Sequence, residues 1–223
     1  TPKTPELRLV DVQTMPTLRE RKKARTREAL VEAAQRLFTK QGYDSTTVDE
    51  IAAEAEVSRR TFFRYFPTKE AVVFPDNAER LERFRQLLRA VEPGESPFAS
   101  VRRACLGIAH ELMQAPQSYA EQQRLVVASP ALIAHELESD REWEAAIAEA
   151  LLRAGAISTS SINPDIQYRA RILAGAAMGV VRATLKHWRD SDCKGNLRDF
   201  AEEGLQMLEN GVGRTLFMKN SAA

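Results

Sequence analysis

The stretch TTVDEIAAEAEVSRRTFFRYFPTKE, residues 46–70, holds two helix starts, a turn and a stop. Thr47 stands three residues before Glu50, the pairing of a capping box, in which each side chain satisfies a free backbone amide at the other. Ile51, Ala52 and Ala55 give the following helix an inner face. EVS then turns the chain. Ser58 caps a third, short helix, RRTFFRYF, which Pro67 stops. Val57, Phe62 and Phe66 fall four or five residues apart and point inward, with Ile51 and Phe38 as partners. Arg59, Arg60, Thr61, Phe63 and Arg64 occupy the opposite face. Arginine forks fit guanine edges and a ring fits a thymine methyl, so this face has the chemistry of a nucleic-acid reader. The plain alternative is a solvated basic helix in a bundle of other purpose.

Upstream, TLRE at 17–20 is a second capping box, Thr17 with Glu20. The helix it opens has its apolar stripe at Leu30, Ala33, Ala34, Leu37 and Phe38, and Gly42 ends it. Its start is the basic run RERKKARTR, 19–27: Arg19, Arg21, Lys22, Lys23, Arg25 and Arg27 against Glu20. Two readings stand for that run. It is an arm that reaches the minor groove or nearby phosphates, or the solvated start of the helix. Residues 1–16, with Pro2, Pro5 and Pro16, read as a flexible tail.

Downstream, Thr68 caps a fourth helix expected to run to Pro93-Gly94. Lys69 lies beside the positive end of that helix, and together with Tyr65 it is placed to reach phosphates. Pro75 cannot donate to the carbonyl of Ala71, so the helix must kink or restart there. That break is either a static detail or the point at which a signal bends the helix.

The spacing predicts further helices at about 97–114, 118–137 with an interruption at Pro130, 140–153, 164–190 and 196–210. No segment alternates convincingly as a strand, so the fold class is all-α, with about nine helices. Three short helices, the second and third joined by a tight turn, form a helix-turn-helix.

The segment TTVDEIAAEAEVSRRTFFRYFPTKEA resembles the DNA-binding part of TetR-family transcriptional regulators. The resemblance covers about residues 18–72 and rests on Phe38, Gly42, Thr47, Ile51, Ala52, Val57, Ser58, Thr61, Tyr65, Phe66 and Lys69. One residue departs from the pattern: the family usually has glycine in the turn, and here Glu56 stands. Either the turn is shifted or the chain absorbs a left-handed residue at a cost of roughly 1 kcal/mol. The resemblance implies a tail at 1–16, a reader at 17–72 and a ligand-binding and dimerisation domain at 73–217. FFRYFPTKEAVVF and the later helices are also similar to TetR-like regulators that sense acyl-CoA or fatty-acyl compounds.

In the larger domain, YRARILAGAAMGVVRATLKHW is apolar nearly all round between Ile172 and Leu185. Gly175, Gly179 and Ala183 line one face and let another helix approach closely. With Ile172 and, on the last helix, Phe200, Leu205 and Leu208, they are the candidate interface of a homodimer. The alternative is the central core helix of a monomer. Candidates for a ligand cavity are Phe84, Leu88, Met113, Tyr119, Trp143, Ile147 and Met178, which suit a plain core equally well. Arg124, His110 and Arg182 are the polar anchors to look for.

Composition narrows the partners. Net charge over 223 residues is +1, so no whole-molecule field favours an anionic partner and basic function must be local. The longest apolar stretch, around 172–181, is too short to span a bilayer, and residues 1–15 show no signal-peptide pattern, so a cytoplasmic protein is expected. Cys105 and Cys193 read as ordinary thiols, with a redox pair as the alternative. His110, His135 and His187 lack metal-ligand spacing, so no metal or cofactor is expected. There is no Ser-His-Asp order and no glycine-rich phosphate loop. The expectation is a ligand-responsive homodimeric repressor, released from double-stranded operator DNA by a small apolar effector, and not an enzyme. The alternative is a constitutive or architectural DNA-binding protein.

Overall fold

The structure, a computed structural model, describes residues 17–90, 94–159 and 164–213. Among the described residues there are nine α-helices and no strand. The first three are α1 (Leu18–Gln41), α2 (Val48–Glu54) and α3 (Arg59–Tyr65). Both capping boxes form: Thr17 with Glu20 and Thr47 with Glu50. Each box places a glutamate in the first turn, so the hydrogen bonds to its threonine hold Glu20 and Glu50 below the ordinary carboxylate value.

Glu56 does adopt the left-handed conformation, with φ of 54°. Its amide bonds to the Ala53 carbonyl at 3.0 Å and the Val57 amide reaches back to Ala52 at 2.9 Å. Those two bonds satisfy the last carbonyls of α2, and Val57 packs on the core behind them. The turn is not shifted, and the missing glycine is absorbed.

The fourth helix differs from expectation. Thr68 caps only a short 3-10 turn, Glu70–Val72, accepting the Ala71 amide at 3.2 Å. The chain then breaks at Pro75, and α4 starts afresh at Asn77 and ends at Arg89. The ring that removes a donor and crowds the preceding turn forces the restart.

Next come α5 (Pro97–Leu112), α6 (Pro116–Ala128), α7 (Pro130–Thr159), α8 (Pro164–Asp190) and α9 (Leu197–Leu208), followed by a π turn at Glu209–Gly213. The interruption at Pro130 is real, but the expected gap between 137 and 140 does not exist. One 30-residue helix covers it. The weak helix formers there find tertiary partners: Ser139 accepts from Asn77 at 2.8 Å, and Asp140 pairs with Arg182 at 3.6 Å. No helix among the described residues is long and apolar enough to cross a membrane.

Two cores result. The smaller gathers Leu30, Phe38, Ile51, Phe62, Phe66 and Val72, and it also takes in Val126 and Leu132 from the α6–α7 corner. The larger lies between α4, α5, α7, α8 and α9 and holds Phe84, Val101, Ile147, Leu173 and Leu205.

Candidate DNA-reading surface and effector cavity

On α3, Phe62 is fully buried while Arg59, Arg60, Phe63 and Arg64 are exposed. Phe63 leaves 43% of its surface open, a costly position for a ring with no partner to cover it. The Arg59 guanidinium lies 5.5 Å from that ring and is also held at 2.7 Å by Asp49 of α2. No local sequence pattern marks Asp49, because its contact crosses the turn. Thr61 is half-buried, its hydroxyl 2.9 Å from Ser58, and Thr47 spends its hydroxyl on Glu50. Arg64 lies 5.3 Å from the ring of half-buried Tyr65.

The basic residues Arg19, Lys22 and Lys23 sit in the first turns of α1 and share one concave surface with Arg64 and Tyr65. Arg21 is exposed beside them. They form a helical basic edge next to the end of α3, rather than an extended arm.

Lys69 is not the free ammonium that its position suggested. It donates to the carbonyls of Tyr43 and Thr46, each at 2.9 Å, and stands 4.0 Å above the Tyr43 ring. The helix start expected beside it is a 3-10 turn, and α4 begins well beyond. Lys69 therefore ties down the loop that carries α2.

The two halves meet around Pro75. Arg27 of α1 donates to the Pro75 carbonyl and lies 3.5 Å from both Asp76 and Glu79. Gln122 of α6 donates to the Val73 carbonyl at 2.6 Å, and Phe74 stacks on His135 at 5.2 Å. Ser129, at the α6–α7 corner, donates to Asp44 at 2.9 Å. In the sequence Arg27 is one residue of a basic run; its role depends on where α4 restarts.

The larger half contains a cavity of about 150 Å³. Phe84, Tyr119, Trp143 and Met178 line it, with the Phe84 and Trp143 rings 4.9 Å apart. Leu88 and Ile147 pack in the core beyond it, and Met113 sits half-buried against another cluster. Arg124, His110 and Arg182 are exposed and do not line it. Its polar wall comes instead from Asn77, Arg80, Gln122, Gln123, Glu136 and Asp140. Burial raises the Asp140 carboxyl above its ordinary value, against the pull of Arg182. Cys105 faces the cavity with its thiol pushed up to about 12 by burial, so it is a poor nucleophile. Among the described residues, no group of three or more His, Cys, Asp or Glu could hold a metal.

On the far side, α8 presents Ile172, Gly179 and Ala183 outward. The space above Gly179 is open, and Tyr168 nearby is 64% exposed. Gly175 faces inward, where a Cβ would stand 3.5 Å from Glu144. Leu205, expected on that face, is instead fully buried in the chain's own core and belongs to no outer surface. Leu208 packs half-buried on the same core, and Phe200 sets its ring against His187 at 4.9 Å.

Residues 30–74 match the family described as bacterial regulatory proteins, tetR family. Residues 95–213 match the MftR C-terminal domain. The chain is 33% identical over 179 residues to the HTH-type transcriptional regulator TcmR of Streptomyces glaucescens, covering 78% of this chain and 77% of that one. Among solved structures, Thermus thermophilus FadR, a TetR-family repressor in complex with lauroyl-CoA, superposes with a TM-score of 0.55 at 26% identity, over 83% of this chain and 94% of that one. FadR from Bacillus halodurans shares the fold, with a TM-score of 0.56 at 19% identity over 83% and 98% of the two chains. With a capped helix-turn-helix that exposes arginines, joined to a hollow helical domain, the chain belongs to the TetR family of DNA-binding transcriptional regulators.

Proposed function

We propose that the chain is one subunit of a homodimeric repressor that leaves a palindromic operator when a small, largely apolar effector fills the cavity. The observation that carries this reading is the first turn of α4. On one side Arg27 of the reading half grips Pro75, Asp76 and Glu79. On the other, Asn77 and Arg80 form part of the cavity wall. A molecule seated against that turn displaces the backbone that the reading half holds. Ligand and DNA then favour different states, and each weakens the other by the same factor. The division between reader and effector domain falls at residues 72/73, just ahead of the Pro75 break.

In this reading Arg59, Arg60, Phe63 and Arg64 meet base edges. Thr47, Thr61, Tyr65 and the α1 edge, Arg19, Arg21, Lys22 and Lys23, settle on phosphates. The acyl chain of the lauroyl-CoA held by the Thermus neighbour supports an apolar group in the cavity. The outer face of α8 around Ile172, Gly179 and Ala183 pairs with its copy, and a two-fold dimer suits half-sites one or more helical turns apart. The protein works in the cytoplasm, where its operator is.

The test begins with duplexes selected by the protein from a random library. Those duplexes should carry inverted half-sites, and a cavity-binding molecule should lower their affinity. Gly179→Leu should yield monomers in sedimentation and lose the inverted repeat. Selected sites without symmetry, or DNA affinity that no cavity ligand changes, would remove the repressor reading and leave a constitutive binder.

A further inference from the structure

The polar wall of the cavity is almost fully matched within the protein. Asn77 is bonded to Ser139, Gln122 to the Val73 carbonyl, and Gln123 to both Glu136 and Arg189. Asp140 faces Arg182 at 3.6 Å. The two cavity carboxylates therefore already have partners. Arg80 is the exception. It is half-buried, its Nε is fully buried without a hydrogen-bond partner, and among the described residues it forms no ion pair. The acids nearest in sequence are already taken: Glu79 and Asp76 by Arg27, and Glu82 by Arg85 and Arg89. A buried N–H without a partner costs free energy, and an anion that accepts from it offsets that cost. Arg80 also lies where the cavity meets the cleft between α1, α4 and α6, since it lines both.

We propose that the effector is an organic anion, a single ring or short chain carrying a carboxylate, and that Arg80 binds its charge while Phe84, Trp143 and Met178 hold its apolar body. A cavity of about 150 Å³ is the size that takes one benzene ring. A planar guanidinium meets a carboxylate with two parallel hydrogen bonds, a fit that an amide or an amine does not offer. Binding at Arg80 also acts directly on the first turn of α4. The inference rests on the repressor reading above but names a ligand class that reading leaves open.

The matched probes are benzoate, benzamide and benzylamine, followed by the fluorescence of Trp143 in a Trp188→Phe background, which leaves Trp143 as the one tryptophan. Benzoate should bind at least about tenfold more tightly than either neutral or cationic probe. Arg80→Gln should remove that advantage and leave benzamide binding unchanged, with Arg80→Lys recovering part of it. A thermal melt of Arg80→Gln that falls no lower than that of the natural protein shows that the fold is intact. Benzylamine binding tightest would mean that Glu136 and Asp140 set the class, and would overturn the proposal. So would a benzoate preference that survives Arg80→Gln, or no binding by any of the three. The same probes added to protein on its selected duplex separate the two readings. Arg80-dependent benzoate binding that leaves DNA affinity unchanged supports this inference and sinks the repressor. DNA release by benzylamine or benzamide but not by benzoate does the reverse.

Discussion

The reading half and the effector half are both built from helices but organise their polar groups in opposite ways. Around α2 and α3, polar side chains cap helix ends or face solvent, and the interior holds Leu30, Ile51, Phe62 and Phe66. Around the cavity, polar side chains point inward and are matched across helices that lie far apart in sequence. A head that must present one fixed face to DNA gains from local, redundant signals. A cavity that must answer to a ligand gains from long-range matches, one of them left open.

The comparison breaks most visibly at Phe62. Phe62→Ala should cost about 3–5 kcal/mol because the small core cannot close around the gap. Chemical denaturation should show the reading half unfolding first, with the effector half retaining its cavity fluorescence. A single shared transition would mean that the α6–α7 corner, through Val126 and Leu132, fuses the two halves into one cooperative unit.

Next is Lys69. Removing its ammonium strands two carbonyls of the Tyr43–Thr46 loop, so Lys69→Ala should destabilise by about 1.5–3 kcal/mol. The salt dependence of DNA binding should stay as it was. A slope flatter by about one unit would instead make Lys69 a phosphate contact.

The arginines of α3 come third. Arg60→Ala and Arg59→Ala should each cost about 1–3 kcal/mol on a selected duplex and relax its sequence preference. Asp49→Asn, which frees Arg59, should strengthen binding to random duplexes more than to selected ones. Full sequence preference in both arginine variants would remove α3 from base reading.

The smallest expected effect lies in the turn. Glu56→Gly should raise stability by at most about 0.5 kcal/mol, the relief of a left-handed residue less the entropy that glycine adds to the unfolded chain. A loss in a thermal melt would mean that the Glu56 side chain contributes something its exposure hides.

These cases also mark what could be read from sequence. The Thr47–Glu50 box, the Ser58 cap and the Phe62–Phe66 spacing are short-range patterns, and the structure repeats each of them. The Pro75 restart was legible for the same reason. Lys69 was not, since the carbonyls it serves lie 23 and 26 residues away. Arg80 carries no sequence signal of its own, because its burial depends on the angular phase of α4, which Pro75 resets. Leu205 fits an outward stripe by spacing, yet α9 packs that face on α5 and α8. Aromatic residues of the cavity, Phe84 and Trp143, were visible as large apolar groups, but their polar neighbours were not.

The central claim is that the first turn of α4 transmits between cavity and DNA through Arg27. The direct measurement is affinity for a selected duplex with and without a saturating amount of the tightest-binding probe among benzoate, benzamide and benzylamine. It is made in the natural protein and in Arg27→Met, which keeps the side-chain stem and removes the charge. The account predicts that probe and DNA each still bind to Arg27→Met alone, while the ratio of the two DNA affinities falls towards one. By linkage, the change in probe affinity caused by DNA must fall by the same factor. An unchanged ratio in Arg27→Met would contradict the account and place the coupling elsewhere, with the Ser129–Asp44 corner next to examine.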